Sequence, residues 1–151
     1  MTEQDFWKLI KEHIPGEANR VENSADNGMP DVSCCFGIDY WIELKVCSNK
    51  EKIRDIVSLL RDDQIVWHLR RGKLGSLIFV IVRYYSRIVI YVWKYEKIKG
   101  ILLNNISSFY KQVGVVERKK NCFDWQLFKQ IIVDVIKERI KSGLCNSGTG
   151  R

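Results

Sequence analysis

The chain has 151 residues, of which 46% are hydrophobic and 28% charged, and its formal net charge is +7. This size and composition suit one globular domain with a hydrophobic core, and no run of 18 or more uncharged apolar residues predicts a transmembrane helix. The five cysteines are odd in number and contain no C-x-x-C pair, which excludes an obvious zinc site or disulfide framework. The first residues have no apolar signal-peptide core, so a cytoplasmic protein with reduced thiols is expected.

The predicted elements mix helices and strands. Apolar residues at helical spacing predict a first helix over residues 2–14, which Pro15-Gly16 ends. Three strands follow, separated by a turn-rich segment and a turn at Gly37; they are EANRVENS, DVSCCFG and IDYWIELKVC. RDDQIVWHLRRG predicts a second helix, and the next two strands form a hairpin of SLIFVIVRYY and RIVIYVWKY.

The last third of the chain predicts one strong element. DWQLFKQIIVDVIKERIKSG has the apolar stripe of an amphipathic helix, whereas KIKGILL and ISSFYKQV have no clear period. SNKEKIRDIVSLL, before the second helix, has no clear period either. The order of elements indicates an α/β (α+β) fold with a central sheet. We expect a single domain over residues 1–142 and a flexible tail over residues 143–151.

Charges in the third strand need an explanation, because a charge in an apolar strand is costly unless it is paired or binds a metal. Side chains alternate across a strand, so Glu43 and Lys45 share one face. Asp31 begins the preceding strand, and the turn at Gly37 would bring it towards Glu43. The alternative is a purely structural one, in which Glu43 and Lys45 form an exposed ion pair on an edge strand and Asp31 only follows a proline turn.

These residues suit a magnesium site. Mg²⁺ commonly binds one or two carboxylates, waters and a substrate phosphate, and Asp31 and Glu43 would be the carboxylates. The backbone carbonyl of Leu44 would be a third ligand. Lys45 would then orient a water or stabilise charge on the phosphate.

Pro30-Asp31, eleven intervening residues and Glu43-Leu44-Lys45 resemble the motif of the PD-(D/E)XK nucleases. The resemblance implies a restriction-endonuclease-like core, in which a central mixed β-sheet is flanked by helices. It also implies Mg²⁺ as the cofactor, with Mn²⁺ as a substitute, and catalysis by Asp31, Glu43 and Lys45.

RVENSADNGMPD is similar to the segment before the motif Asp in archaeal-type Holliday junction resolvases and virus-type replication-repair nuclease domains. Arg20 and Ser24 match an Arg and a Ser of that segment, and Gln64 matches a Gln that faces the site from the next helix. The family also usually has an acid on its first helix. The candidates for it here are Glu3, Glu12 and, from the first strand, Glu22. The resemblance covers roughly the first 95 residues.

Two classes of function follow. The first is a metal-dependent DNA endonuclease that is selective for branched DNA, acts as a homodimer and serves recombination or repair, in a bacterial or archaeal cell or for a phage or mobile element. The excess positive charge favours a polyanionic partner, and the expected DNA contacts are Arg20, Ser24, Arg70, Arg71 and Lys73. The alternative is a non-catalytic nucleic-acid-binding or assembly module, or a nicking or flap-type nuclease.

Overall fold

A computed structural model describes residues 1–21, 28–94 and 103–149 of the chain. The α-helices of this part are α1 (Glu3–Ile10), α2 (Lys50–Arg54), α3 (Asp62–Lys73) and α4 (Trp125–Thr149). Its strands are β1 (Glu17–Arg20), β2 (Val32–Phe36), β3 (Ile38–Cys47), β4 (Leu77–Tyr84), β5 (Arg87–Trp93), β6 (Tyr110–Lys119) and β7 (Cys122–Phe123). Short 3₁₀ helices cover Lys11–His13, Ile56–Leu59 and Leu103–Phe109.

The strands form one mixed sheet in the order β1-β2-β3-β4-β5-β6-β7. Strands β3 and β4 are parallel, and every other neighbouring pair is antiparallel. The parallel pair needs a long crossover, which α2, a 3₁₀ helix and α3 supply. A central mixed sheet flanked by helices confirms the predicted α+β fold class, and the run from α1 to β4 has the expected order of helix, three strands, helix and strand.

The two faces of the sheet bury separate cores, because successive side chains of a strand point to opposite faces. On one face, alternate residues of β4 such as Phe79 and Ile81 pack with Phe6 of α1 and Phe128 of α4. On the other face, the intervening residues of β4 pack with Trp67 of α3 and with the 3₁₀ helix before β6. Strand β4 is therefore buried on both sides, which explains its continuous apolar sequence.

Most predicted elements are present, with differences in the regions of weak period. The segment SNKEKIRDIVSLL becomes α2 and a 3₁₀ helix, and ISSFYKQV spans the end of a 3₁₀ helix and the start of β6. Most of KIKGILL and the end of EANRVENS lie outside the described residues. Helix α4 continues to Thr149, into the segment expected to be a tail, and the division at residue 142 stays a prediction.

None of the described helices is long and apolar enough to cross a lipid bilayer.

The close approach of α3 to the sheet gives a test of the packing. A methyl group added at Gly72 would overlap the indole ring of Trp93, which is almost fully buried. We expect Gly72→Ala to lower the free energy of unfolding by about 1–3 kcal/mol through overpacking. Gly143→Ala is the matched control, because no heavy atom lies near its added methyl group and alanine favours a helix by up to about 1 kcal/mol. Urea denaturation of both variants measures the difference, and equal stabilities would contradict this packing.

Candidate active site

Strand β2 begins opposite the middle of β3, so the second half of β3 has only one neighbouring strand. Val32, the first residue of β2, is opposite Ile42, so β3 from Glu43 onward is paired with β4 but not with β2. Asp31 lies at this point, and its Oδ2 accepts a hydrogen bond of 2.7 Å from the backbone N–H of Leu44. The Asp31 carboxylate thus lies along the edge of β3 that β2 does not cover.

The same geometry gives the Leu44 carbonyl its direction. In a strand, the N–H and C=O of one residue point to the same edge. The Leu44 carbonyl therefore points towards the edge that Asp31 occupies, whereas the side chains of Glu43 and Lys45 leave β3 on one face. Two carboxylates, one carbonyl and one ammonium group are consequently gathered at the point where β2 begins.

Glu43 is the most buried charged group of the cluster, with no exposed surface. Its Oε1 accepts a hydrogen bond of 2.7 Å from Gln64 Nε2 and lies 3.4 Å from Lys45 Nζ. Its Oε2 is buried and has no hydrogen-bond partner among the described residues. The alternative of an exposed ion pair does not describe this site, because the side chains of Glu43 and Lys45 are only 1% and 12% exposed.

The environment of Glu43 disfavours its charge. Burial, followed by the negative charge of Asp31, raises the pKa of Glu43 to about 9, and Lys45 opposes this shift only in part. A positive charge placed next to Glu43 would favour its ionised form.

Lys45 links the cluster to the first helix. Its Nζ lies 3.8 Å from Glu3 Oε1. Glu3 is held there because Thr2 caps α1: the Thr2 hydroxyl accepts a hydrogen bond from the Asp5 N–H, and the Asp5 carboxylate accepts one from the Thr2 N–H. Burial is the main cause that raises the pKa of Glu3.

The structure also separates the candidates for the acid on the first helix. Glu3 reaches the cluster, whereas Glu12 lies in the 3₁₀ helix beyond the opposite end of α1. Glu22 and Ser24 lie outside the described residues.

Gln64 joins the start of α3 to β3. Its Oε1 accepts the backbone N–H of Arg61 at 2.9 Å, while its Nε2 donates to Glu43. The amide orientation is thereby fixed from the helix side. Arg61 was not a candidate from sequence, yet its positive charge acts on the carboxyl groups of Glu3, Asp31 and Glu43. Its place as the first residue of the predicted helix segment, three residues before Gln64, was the available signal.

The expected DNA contacts fall in two places. Arg20 ends β1 near the cluster, where its charge acts on Glu3, and its Nη1 is buried without a hydrogen-bond partner among the described residues. Arg70, Arg71 and Lys73 lie at the other end of α3 from Gln64 and are not brought to the cluster. Arg71 places its guanidinium over the Trp67 ring, 5.1 Å from the centroid.

A second buried polar pair lies one turn along α3 from Gln64. His68 is fully buried, and its Nδ1 lies 2.6 Å from the hydroxyl of Tyr110, while its Nε2 has no partner among the described residues. Burial, with a smaller contribution from Lys45, lowers the pKa of His68 to about 3. The His68 imidazole is therefore neutral and part of the buried core, and the sequence analysis had not predicted a role for it.

No group of three or more His, Cys, Asp or Glu side chains that could hold a metal ion occurs in the described ranges 1–21, 28–94 and 103–149. A magnesium ion does not require such a group, since it often binds one or two carboxylates and completes its shell with water and substrate oxygens. The pair of Asp31 and Glu43, with the unpartnered Oε2 of Glu43, fits an ion of that kind.

The chain is similar in structure to a solved protein, although the similarity is distant. No protein-family model matches the chain, and no curated protein matches it. The 1.6 Å structure of Hjc, a Holliday junction resolvase from the archaeal hyperthermophile Archaeoglobus fulgidus, is similar over 87% of this chain and 96% of that chain, with 13% identity and a TM-score of 0.39. At this identity and score, the function has to be inferred from the site residues themselves.

The buried imidazole predicts a specific pH dependence of stability. The ordinary pKa of His68 is 6.5 and its pKa in the fold is about 3, so the unfolded chain takes up a proton below pH 6.5 while the folded chain does not. The contribution of His68 to the free energy of unfolding should therefore fall, by up to about 1.4 kcal/mol per pH unit, as the pH drops from 6.5 towards 3, whereas Glu43, with its raised pKa, contributes the opposite slope above its ordinary pKa of 4.5. Urea denaturation at pH 7.5, 6, 5 and 4 measures this slope.

His68→Gln should remove this part of the slope, whereas Tyr110→Phe, which keeps the imidazole, should retain it. An unchanged slope in His68→Gln would contradict a neutral buried His68.

Proposed function

We propose that the protein is a metal-dependent DNA endonuclease that hydrolyses phosphodiester bonds. The observation that supports this best is the gathering of Asp31, Glu43, Lys45 and Gln64 at the point where β2 begins beside β3. Such a cluster costs stability, because buried charges are unfavourable unless they are fully compensated. A site that is retained at this cost is a good candidate for chemistry.

Asp31, Glu43 and the carbonyl of Leu44 are the groups that would hold Mg²⁺, with Mn²⁺ as a substitute. Their donors are all oxygens, which both ions prefer. The bound ion would supply Lewis acidity towards a phosphoryl oxygen. Its charge would also favour the ionised form of Glu43, whose pKa is raised in the fold.

The protein's own groups have distinct roles in this proposal. Lys45, held between Glu43 and Glu3, places a positive charge beside the phosphate and orients the attacking water. Gln64 fixes the Glu43 carboxylate from α3 and acts as a positioning residue. Glu3 holds the ammonium group of Lys45 at the cluster.

We further propose that the substrate is branched DNA, recognised by shape. The candidate contacts outside the site are mainly arginine and lysine side chains, which bind phosphates and position DNA without reading its sequence. A homodimer would place two equal sites on the two related strands of a four-way junction. Sedimentation at micromolar protein, with and without a junction, would distinguish this dimer from a monomeric nicking or flap-type nuclease.

Removal of either carboxylate tests the proposed activity. We expect Asp31→Asn and Glu43→Gln to reduce Mg²⁺-dependent cleavage of a four-way junction by at least about 100-fold, because each change removes a negatively charged ligand. Binding to the same junction in EDTA should persist. Gel assays with junction and linear duplex substrates measure cleavage and selectivity.

Asp39→Asn is the matched control, since Asp39 is an exposed acid at the other end of the same strand. Mg²⁺ should raise the melting temperature of the wild type and of Asp39→Asn but not of the two site variants. A wild type that binds DNA and never cleaves it would instead favour the non-catalytic module.

Lys45 and Gln64 should differ in the size of their effects. Lys45→Ala removes the only ammonium group that the structure places within 4 Å of Glu43 among the described residues, so cleavage should fall by about 100-fold or more. Gln64→Ala removes a group that acts through Glu43, so a loss of about 10–100-fold is expected. Single-turnover cleavage rates measure both. If Lys45→Ala fails to fold while Gln64→Ala cleaves normally, the cluster is structural.

A further inference from the structure

A cleft opens beside the proposed site, on the other face of the sheet from Gln64. It lies between the start of α1 and the carboxyl ends of β3 and β4, has a volume of about 540 Å³, and includes Glu3, Ser48 and Arg83 in its lining. Arg83 is opposite Val46 in the parallel pairing of β3 and β4, one position beyond Lys45. The cleft and the site share Glu3, which lines the cleft and forms an ion pair with Lys45.

Arg83 is the unusual group in this cleft. It is only 8% exposed, and among the described residues no carboxylate lies within ion-pair distance of its guanidinium. Its Nε donates a hydrogen bond of 2.6 Å to the Tyr85 carbonyl, and its Cζ lies 4.8 Å from the centroid of the Phe123 ring. A buried guanidinium that one carbonyl and one ring partly compensate retains the capacity to bind an anion.

The surroundings of Arg83 add positive charge. Burial, and then the charge of Arg118, lower the pKa of Arg83, which means that two arginines lie near each other. Arg118 is the penultimate residue of β6 and lies beside the turn between β4 and β5, where its backbone N–H donates a hydrogen bond of 2.7 Å to the Ser86 carbonyl. Lys119 and Lys120 follow it in sequence and are exposed. The acid that lines the cleft, Glu3, is already engaged by Lys45.

We propose that this cleft is a phosphate subsite, in which Arg83 binds a phosphate group of the DNA next to the phosphodiester held at Glu43 and Lys45. This proposal rests on the proposed nuclease function. The planar guanidinium presents paired N–H donors that match phosphate oxygens, and a site shielded from water makes the interaction stronger. Arg118, Lys119 and Lys120 would continue the track beyond the cleft.

The subsite predicts opposite effects on stability and on DNA binding. Arg83→Met removes a buried charge without an acidic partner, so the melting temperature should stay the same or rise. DNA affinity in EDTA should fall by about tenfold, and the slope of log affinity against log salt should become less steep by about 1, because one phosphate contact is lost. A purely structural Arg83 would give the reverse: a lower melting temperature and an unchanged salt slope.

Arg139→Met is the matched control. Arg139 is also partly buried and donates to one carbonyl, that of Gly75, at 2.7 Å, but it lies at the opposite end of the sheet. The two variants have the same net charge, so a general loss of positive charge would affect both equally. Fluorescence anisotropy with a labelled duplex and a labelled four-way junction at several salt concentrations supplies the affinities.

Each outcome separates the subsite from the nuclease function. Equal salt slopes for Arg83→Met and Arg139→Met, in a protein whose cleavage still depends on Asp31, would overturn the subsite alone. Loss of cleavage dependence on Asp31 with a reduced slope in Arg83→Met would overturn the nuclease function and retain a phosphate-binding cleft. If inorganic phosphate raises the melting temperature of the wild type but not of Arg83→Met, while DNA binding is the same in both, the cleft takes a free phosphate and the DNA assignment is wrong.

Discussion

The hydrogen bond from the Leu44 N–H to the Asp31 carboxylate is the interaction on which the candidate site depends. Strand β2 begins only at Val32, opposite Ile42, so the backbone of β3 from Glu43 onward needs another partner on that edge. The side chain of Asp31 accepts the hydrogen bond of one such backbone group, the Leu44 N–H, and thereby places a carboxylate next to Glu43 in the fold. The same residue thus pairs a backbone group of β3 and supplies a carboxylate to the proposed metal site.

Stability and the proposed function conflict around this point. Glu43 is fully buried with one unpartnered oxygen, and Arg83 is buried without an acidic partner among the described residues. Buried charges of this kind add little to stability, because the cost of removing them from water offsets their attraction to their partners. The cost is tolerable because β3 and β4 are covered on both faces by large apolar cores, which hold the strands in place independently of the charges. The rigid sheet thus positions groups that would not stay together by their own attraction.

The sequence predicted the elements whose period was strong and the residues that adjacent strands bring together. The turn at Gly37 and the alternation of β3 were enough to place Asp31, Glu43 and Lys45 in one cluster. Strand β6 was missed because polar side chains and Gly114 interrupt its pattern, and its pairing with β5, including an irregularity near Ile90, determines its conformation. Contacts between distant elements could not be predicted from the sequence. Whether Glu3 or Glu12 reaches Lys45, and whether His68 is buried, depends on how the helices pack against the sheet.

The position of the charged groups in the sheet follows from its one parallel pair within the described residues. The carboxyl end of β4 continues through a short turn into β5, whereas the chain leaves the carboxyl end of β3 for the crossover through α2 and α3. In open α/β sheets, ligands commonly bind outside the carboxyl ends of parallel strands. Glu43 and Lys45 lie in the carboxyl-terminal half of β3, and Arg83 lies next to the end of β4. The proposed metal site and the proposed phosphate subsite thus both lie towards the carboxyl ends of the one parallel pair among the described strands.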